Sequence, residues 1–236
     1  MKFLLDLLFP PHCFLCGTDL ADQILCAGCL AAIPLHQGFF CGECGARLPV
    51  PVDGGWARRP GVKKVCHLSY PYRLGAAASY AEPAVQQLIL QLKFHNVRRA
   101  AEPLGELMTQ YLRAVGFSFP PNAVLLPVPL SSRRLRERGY NQAELLAKIL
   151  SRNFGLALAP DLLLRSRHTQ PQSKLSATDR AANVAGCFAV ARPLPPRRRF
   201  FLVDDVTTSG TTLFAAAKTM QAAGARGLVA LVAAKV

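Results

Sequence analysis

The chain is organised around residues 200–212, which read Phe200-Phe201-Leu202-Val203-Asp204-Asp205-Val206-Thr207-Thr208-Ser209-Gly210-Thr211-Thr212. The apolar run at 200–203 is short and bounded, which is typical of a buried parallel strand. Two adjacent acids and a small, hydroxyl-rich loop follow it, and residues 213–220 have the composition of a helix. This order predicts an α/β unit with its functional groups at the carboxyl end of the strand.

The segment has the groups needed to hold a phosphorylated sugar. A helix start presents unpaired N–H groups and a partial positive charge, and both favour phosphate. Gly210 allows the backbone to approach a ligand closely. Ionised Asp204 and Asp205 can only accept hydrogen bonds, which suits the vicinal hydroxyls of a ribose beside its 5-phosphate. Further donors are the hydroxyls of Thr207, Thr208, Ser209, Thr211 and Thr212.

A plainer alternative is a buried helix that follows a core strand and is capped by one of these side chains. A cap needs one Ser, Thr or Asp, whereas this segment has two acids and five hydroxyls. The segment contains neither the Gly-Lys-Thr/Ser of a Walker A loop nor the glycine fingerprint of dinucleotide-binding folds.

Length and charge limit the classes of protein to which the chain can belong. A chain of 236 residues, 51% of them hydrophobic, can form one large domain or a medium domain with a small appendage. The formal net charge of +14 favours a polyanionic partner, and a generally basic surface is the alternative. We expect no stable membrane insertion, because no run of about 18 apolar residues occurs. Residues 1–10 are too short an apolar stretch for a signal peptide, so we expect a cytoplasmic protein.

Cysteine pairs near the N-terminus predict a metal site, since disulfides are rare in the cytoplasm. Cys13, Cys16, Cys26 and Cys29 form two CxxC pairs, and four thiolates at this spacing make a closed, structural Zn²⁺ site. A redox-active CxxC is disfavoured, because two pairs occur without a thioredoxin-like unit.

A second cysteine group is incomplete. Cys41 and Cys44 repeat the pair, Cys66 is the next cysteine along the chain, and His67 or His36 is the candidate fourth ligand. A degenerate ribbon without metal is the alternative. The sequence therefore predicts one zinc ion and allows two.

A second anion site is predicted between a strand at 124–130 and a helix at 143–150. Residues 131–142 between them read as an arginine-rich loop, and guanidinium groups bind phosphate in bidentate fashion. A solvated basic loop is the alternative interpretation.

The polar stretch 165–183 is long for a loop inside a compact domain, and such loops are often lids. Strands at 161–165 and 187–190 flank it, and Cys187 is expected to be a buried thiol. The spacing of apolar residues predicts further strands at 75–80 and 228–234 and helices at 82–93 and 101–115.

Residues 200–212 resemble the phosphoribosyl pyrophosphate (PRPP) motif of type I phosphoribosyltransferases. The whole chain resembles the ComF family, competence-associated proteins that join a double zinc ribbon to such a domain. The resemblance implies a zinc-ribbon region at 1–70 and a phosphoribosyltransferase-like domain at 71–236, with a parallel sheet flanked by helices. Other matching pieces are Leu8-Phe9-Pro10-Pro11, Leu92-Lys93-Phe94, Pro127-Val128-Pro129, Arg138-Gly139-Tyr140-Asn141-Gln142 and Gly186-Cys187-Phe188.

The resemblance also implies roles for particular residues. Asp204 and Asp205 would fix the ribose, and the 5-phosphate of PRPP would be held by Val206, Thr207, Thr208, Ser209, Gly210, Thr211 and Thr212. Mg²⁺ would bridge substrate oxygens with few protein ligands. Pyrophosphate would meet Arg133, Arg134 or Arg138. A lid would carry Arg165, Arg167, Lys174 and Arg180.

Two features depart from the family pattern. Lys63 stands where the family usually has a cysteine, and no aromatic hood for stacking a base can be identified in the sequence. The leading hypothesis is a protein that binds PRPP and single-stranded DNA during natural transformation. The alternatives are an active phosphoribosyltransferase acting on a nucleobase or amine, and a PRPP sensor that docks on a helicase-like competence protein.

Overall fold

The computed structural model describes residues 12–20, 23–48, 66, 71–165 and 186–236. It confirms the predicted α/β class, a mostly parallel sheet flanked by helices with a small N-terminal ribbon module. Residues 1–10 lie outside the described ranges. No helix within those ranges is long and apolar enough to cross a bilayer.

The described residues form nine strands in two sheets. They are β1 (Phe39–Cys41), β2 (Arg47–Leu48), β3 (Arg73–Ser79), β4 (Ala123–Pro127), β5 (Ala157–Leu158), β6 (Leu163–Arg165), β7 (Phe188–Val190), β8 (Arg199–Thr207) and β9 (Val229–Lys235). The main sheet has the order β2-β1-β3-β9-β8-β4-β5, and all pairs from β3 to β5 are parallel. β6 and β7 pair with each other in a separate two-stranded antiparallel sheet.

Six α-helices connect these strands in the described residues. They are α1 (Ala27–Ala31), α2 (Pro83–Phe94), α3 (Ala101–Ala114), α4 (Ser132–Arg138), α5 (Gln142–Phe154) and α6 (Thr211–Ala222), and a short 3₁₀ helix covers Arg98–Ala100. The predicted elements thus occur with ends shifted by a few residues.

The main sheet separates two apolar layers, because successive residues of a strand point to opposite faces. Val203 and Leu231 face the layer that contains α2, α3 and α5. Leu202 and Ala230 face the layer that contains α6. Since β4 and β8 are parallel neighbours, their carboxyl ends lie at the same edge of the sheet, which is where ligands of such folds bind.

Strand β8 is longer than the apolar run predicts. The pairing with β9 continues through Asp204 opposite Val232 and Thr207 opposite Lys235. The acids therefore belong to the strand, because β9 supplies backbone partners that hydrophobicity alone does not reveal. Helix α6 begins at Thr211, directly after a short turn at 208–210.

The arginine-rich segment after β4 is a helix, so the prediction of a loop there was wrong. The side chain of Ser131 accepts a hydrogen bond from the backbone N–H of Arg134, which caps the start of α4. Gly139 ends the helix in the left-handed region, with a φ of 73°. These two signals outweigh the low apolar content of the segment.

The N-terminal ribbon is joined to the main sheet. Strand β1 pairs antiparallel with β3, with Phe40 opposite Leu74 and Cys41 opposite Arg73. Phe39 is fully buried in the same apolar layer as α2, α3 and α5. The predicted division of the chain near residue 70 stays a prediction, since residues 67–70 lie outside the described ranges.

Candidate functional site

A cleft of about 780 Å³ lies at the carboxyl ends of β4 and β8. Its walls come from the end of α2, the residues after β4, helix α4, Arg165 of β6, and the junction of β8 with α6. All nine predicted PRPP-site residues, 204–212, line this cleft. The volume is within the range of small-molecule sites in proteins.

The two acids differ in their surroundings. Asp205 is 1% exposed, and its Oδ1 accepts a hydrogen bond of 2.8 Å from the backbone N–H of Val206. Asp204 is half-buried, and its Oδ1 accepts one of 2.9 Å from the N–H of Asp205. Burial and the neighbouring Asp205 carboxylate raise the pKa of Asp204 to about 8, and the Lys93 ammonium opposes this rise.

Lys93 pairs with one of the two acids in the cleft, although no role was predicted for it from the sequence. Its Nζ lies 2.9 Å from Oδ2 of Asp205, and the side chains are 19% and 2% exposed. Lys93 stands in the last turn of α2 and lines the same cleft. The ammonium compensates the buried carboxylate, which would otherwise be costly to keep charged.

The turn between β8 and α6 leaves the helix start open to the cleft. Gly210 is the N-cap residue of α6, with a φ of 73°, and no described side chain caps the helix there. The hydroxyls of Ser209 and Thr211 are 2.8 Å apart and bond to each other. The capped-helix alternative is therefore not realised, and the turn keeps the form expected of an anion site.

The predicted pyrophosphate residues separate into two groups. Arg134 and Arg138 line the cleft, whereas Arg133 lies outside it with its Nε 2.7 Å from Oε1 of Glu137. Arg138 donates to Oε1 of Gln142 at 2.5 Å, which fixes its guanidinium. Of the predicted lid residues, Arg165 lines the cleft; Arg167, Lys174 and Arg180 lie outside the described ranges.

One contact links the cleft to the ribbon. The Tyr72 hydroxyl donates to the carbonyl oxygen of Gly210 at 3.4 Å, and the ring is fully buried. A Cβ on Gly42 would lie 2.4 to 2.7 Å from three ring atoms of Tyr72, so only glycine fits beside the ring. Gly42 belongs to the turn between Cys41 and Cys44.

The first cysteine cluster fits zinc. The Sγ atoms of Cys13, Cys16, Cys26 and Cys29 all lie within 4.8 Å of one another. Those of Cys16 and Cys26 are 3.7 Å apart, close to the ~3.8 Å edge of a tetrahedron with Zn–S bonds of about 2.3 Å.

Backbone hydrogen bonds favour the thiolate form of one member of this cluster, Cys13. The N–H of Cys26 donates to Sγ of Cys13, and the N–H of Cys29 donates to Sγ of Cys26. Although burial raises it, such backbone hydrogen bonds lower the pKa of the Cys13 thiol to about 6. This favours the thiolate, which is the form that binds metal.

The second cluster contains three thiols in the described residues. The Sγ atoms of Cys41, Cys44 and Cys66 lie within 4.8 Å of one another. His36 is not part of this cluster, and its ring packs edge-on against Phe40 at 5.1 Å. His67, the other candidate fourth ligand, lies outside the described ranges. Cys187 is a buried thiol as predicted.

Comparison with known proteins identifies the family. The chain is 33% identical over 220 residues to competence protein F of Haemophilus influenzae, covering 90% of this chain and 92% of that protein. The chain belongs to the ComF family. A second relative is the DNA utilization protein YhgH of Escherichia coli K12, 31% identical over 225 residues, with 86% and 88% covered. Competence protein ComFC of Bacillus subtilis is 26% identical over 208 residues, with 84% and 78% covered.

A second comparison supports the assignment of zinc to the cysteine clusters of this ComF-family chain. The family model of a double zinc ribbon domain matches residues 4–67. Together with the two cysteine clusters, this match identifies a structural zinc site at the N-terminus of the chain.

Proposed function

We propose that this protein binds PRPP in the cleft at the end of β8 and handles single-stranded DNA during DNA uptake in the cytoplasm. One observation carries the first part: the acid pair, the uncapped helix start and cleft-lining arginines surround a single cavity. PRPP has ribose hydroxyls that match the acids, a 5-phosphate that matches the helix start and a pyrophosphate that matches the arginines.

Each side of the cleft would bind one part of PRPP. The carboxylate of Asp205 and the carboxyl group of Asp204 accept hydrogen bonds from the ribose hydroxyls. The turn at 207–212 binds the 5-phosphate through backbone N–H groups and hydroxyls. Arg134, Arg138 and Arg165 face the pyrophosphate, and Mg²⁺ enters bound to the substrate and neutralises part of its charge.

The DNA part of the proposal rests on charge and on the relatives. Two relatives are named competence proteins and another a DNA utilization protein. A net charge of +14 attracts the phosphate backbone of DNA without reading its sequence. A helicase-like competence protein is the partner that would deliver or receive the strand.

An active phosphoribosyltransferase is the second candidate. It is favoured by the position of Arg134, Arg138 and Arg165 in the same cleft as the acids, because a departing pyrophosphate needs positive charge. The lid that the family resemblance implies at residues 166–183 lies outside the described ranges. A nucleobase or an amine would accept the ribose 5-phosphate.

Calorimetry with PRPP and Mg²⁺ tests the cleft. We expect one binding site in the wild-type protein and loss of binding in the double variant Asp204→Asn, Asp205→Asn. Asp161→Asn is the matched control, since Asp161 is exposed and paired with Arg192 away from the cleft. Unchanged affinity in the double variant would refute the PRPP site.

Two further assays separate the candidates. Fluorescence anisotropy with a labelled oligo(dT) should show binding that weakens steeply as salt is raised. Pyrophosphate release from PRPP, measured with a panel of nucleobases and amines, should be absent if the protein only binds. Turnover that depends on one acceptor, without binding of oligo(dT), would establish the enzyme instead.

A further inference from the structure

Phe94 is an exposed aromatic residue at the mouth of the cleft. It is 70% exposed, more than any other large apolar residue within the described ranges. It ends helix α2 and lines the cleft together with Lys93. An apolar ring in this position has a free face for a ligand.

Positive charge surrounds this ring. The guanidinium carbon of Arg138 lies 6.0 Å from the ring centroid of Phe94, and Arg134 lines the same cleft. Segments 93–99 and 132–138 together contain seven Lys and Arg residues and one acid, Glu137, which pairs with Arg133. The acids 204 and 205 lie deeper, next to Lys93. The outer surface is therefore suited to a polyanion.

The backbone behind Phe94 is fixed. The Tyr140 hydroxyl donates to the carbonyl oxygen of Leu92 at 2.5 Å. Arg98 donates to the carbonyl oxygen of Gly139 at 3.1 Å, and its guanidinium carbon lies 4.9 Å from the ring centroid of Tyr140. These contacts hold the end of α2 against the end of α4, so the backbone that carries Phe94 has a fixed position at the mouth of the cleft.

We propose that Phe94 stacks on a base of single-stranded DNA, and that the Phe94 surface, formed by Phe94, Arg98, Arg134 and Arg138, is where the strand binds. Because Arg134 and Arg138 also face the proposed pyrophosphate site, the strand and PRPP share these two side chains and compete for them. This inference rests on the proposed function and gives it a location. A single strand offers an exposed base and a phosphate in every nucleotide, and an aromatic ring among guanidinium groups matches both. Phe94 also provides an aromatic stacking group, which the sequence did not reveal.

The test compares Phe94 variants by fluorescence anisotropy with a labelled oligo(dT). Truncation of a stacking residue weakens binding by roughly 5- to 150-fold, so we expect Phe94→Ala to fall in this range. Phe94→Trp should keep the affinity. The slope of affinity against salt should stay the same in Phe94→Ala, because no phosphate contact is removed.

An abasic oligonucleotide of the same length isolates the stacking. The wild-type protein should bind it more weakly than oligo(dT), whereas Phe94→Ala should bind both alike. Phe214→Ala is the matched control, since Phe214 is a 36% exposed phenylalanine with Lys218 5.4 Å from its ring, and it does not line the cleft. It should bind oligo(dT) as the wild type does.

The outcomes separate this inference from the proposed function. Salt-dependent binding of oligo(dT) that is equal in the wild type and in correctly folded Phe94→Ala overturns the stacking and assigns the exposed ring to another partner. No binding of oligo(dT) by the wild type refutes the proposed DNA function itself. Competition by free thymidine at the concentration where oligo(dT) binds would assign Phe94 to a free nucleobase and overturn the DNA surface.

Discussion

The hydroxyl of Tyr72 lies 3.4 Å from the carbonyl oxygen of Gly210 and donates a hydrogen bond to it. Gly210 is the N-cap of α6 and part of the candidate phosphate turn, and the Tyr72 ring lies directly against Gly42 of the second cysteine turn. The two glycines are also close to each other, because the carbonyl oxygen of Gly42 lies 3.5 Å from the position that a Cβ on Gly210 would occupy. The ribbon thus supports the wall of the cleft.

We predict that Gly42→Ala weakens PRPP binding roughly 10-fold. The new methyl group would overlap the Tyr72 ring, and overpacking of a core costs about 1–3 kcal/mol. The ring would have to move, and the turn at Gly210 would move with it. Calorimetry with PRPP and Mg²⁺ measures the change, and zinc content shows whether the ribbon still binds metal.

Gly45→Ala is the control for this contact. Gly45 lies one residue beyond Cys44, its φ is 70°, and a Cβ there would meet no atom within 4 Å. The left-handed conformation costs alanine about 1–2 kcal/mol, so the variant loses stability without touching Tyr72. It should bind PRPP normally, and an equal loss in both variants would show that ribbon stability alone matters.

We predict that Lys93→Met lowers the free energy of unfolding by about 3–5 kcal/mol, because it leaves the buried Asp205 carboxylate without its partner. Urea unfolding measures the loss. The double variant Lys93→Met, Asp205→Asn should recover much of it, since no unpaired charge remains.

Lys148→Met is the comparison for this ion pair. Lys148 pairs with Glu144 on the surface at 2.7 Å, and its side chain is 57% exposed. Surface pairs of this kind contribute about 0–1 kcal/mol. If Lys148→Met and Lys93→Met lowered the free energy of unfolding equally, Lys93 would not be compensating a buried charge on Asp205.

The raised pKa of Asp204 predicts a dependence of stability on pH. The folded protein binds this proton up to about pH 8, while the unfolded chain releases it near the ordinary value of 3.8. Stability from this group is therefore full below pH 3.8, and it is lost as the pH rises toward 8, by at most about 1.4 kcal/mol per pH unit. Urea unfolding of the wild type and Asp204→Asn across this range measures it: the stability of the wild type should fall with rising pH relative to Asp204→Asn, because the contributions of the other groups are shared by both proteins.

We predict that Arg134→Gln weakens PRPP binding by roughly 10- to 150-fold, the range for loss of a hydrogen bond to a charged group. Arg133→Gln should leave the affinity within twofold of the wild type, about 0.4 kcal/mol, because Arg133 does not line the cleft and is already paired with Glu137. Calorimetry on the two neighbouring variants provides the comparison. The reverse order of effects would place the pyrophosphate on the other face of α4.

Zinc analysis tests the first cysteine cluster. Cys16→Ser should remove one zinc ion per chain and lower the melting temperature, because a closed four-thiolate site contributes to folding. Cys187→Ser should keep the full zinc content, since Cys187 is a buried thiol outside both clusters. Equal zinc contents in Cys16→Ser and the wild type would argue against the site.

Local patterns predicted much of the fold. The apolar runs before residues 204 and 128 and at 228–234 became the central parallel strands β8, β4 and β9, because a buried strand must be apolar on both faces. The spacing of Cys13, Cys16, Cys26 and Cys29 was enough to bring them together as one cluster. In these places the hydrophobicity of a short run, or the spacing of cysteines, is enough to predict the structure.

The remainder depended on contacts between distant parts of the chain. The pairing of Lys93 with Asp205 and of Tyr72 with Gly210 arises only when α2 and β3 are placed beside β8 and β9. The two-residue strand β5 has no pattern of its own and forms on the edge of β4. The helical form of α4 is signalled by Ser131 and Gly139 at its two ends, and our prediction of a loop did not use these signals.

The attachment of the ribbon to β3 has a consequence for the solubility of the protein. A long parallel sheet that ended at β3 would present seven residues of unpaired backbone, to which another chain could add a strand. β1 pairs with the first two of these residues, Arg73 and Leu74, and β1 and β2 are short strands of three and two residues. The cysteine-containing segment therefore also protects part of this sheet edge, and we expect its removal to promote aggregation of the rest of the chain.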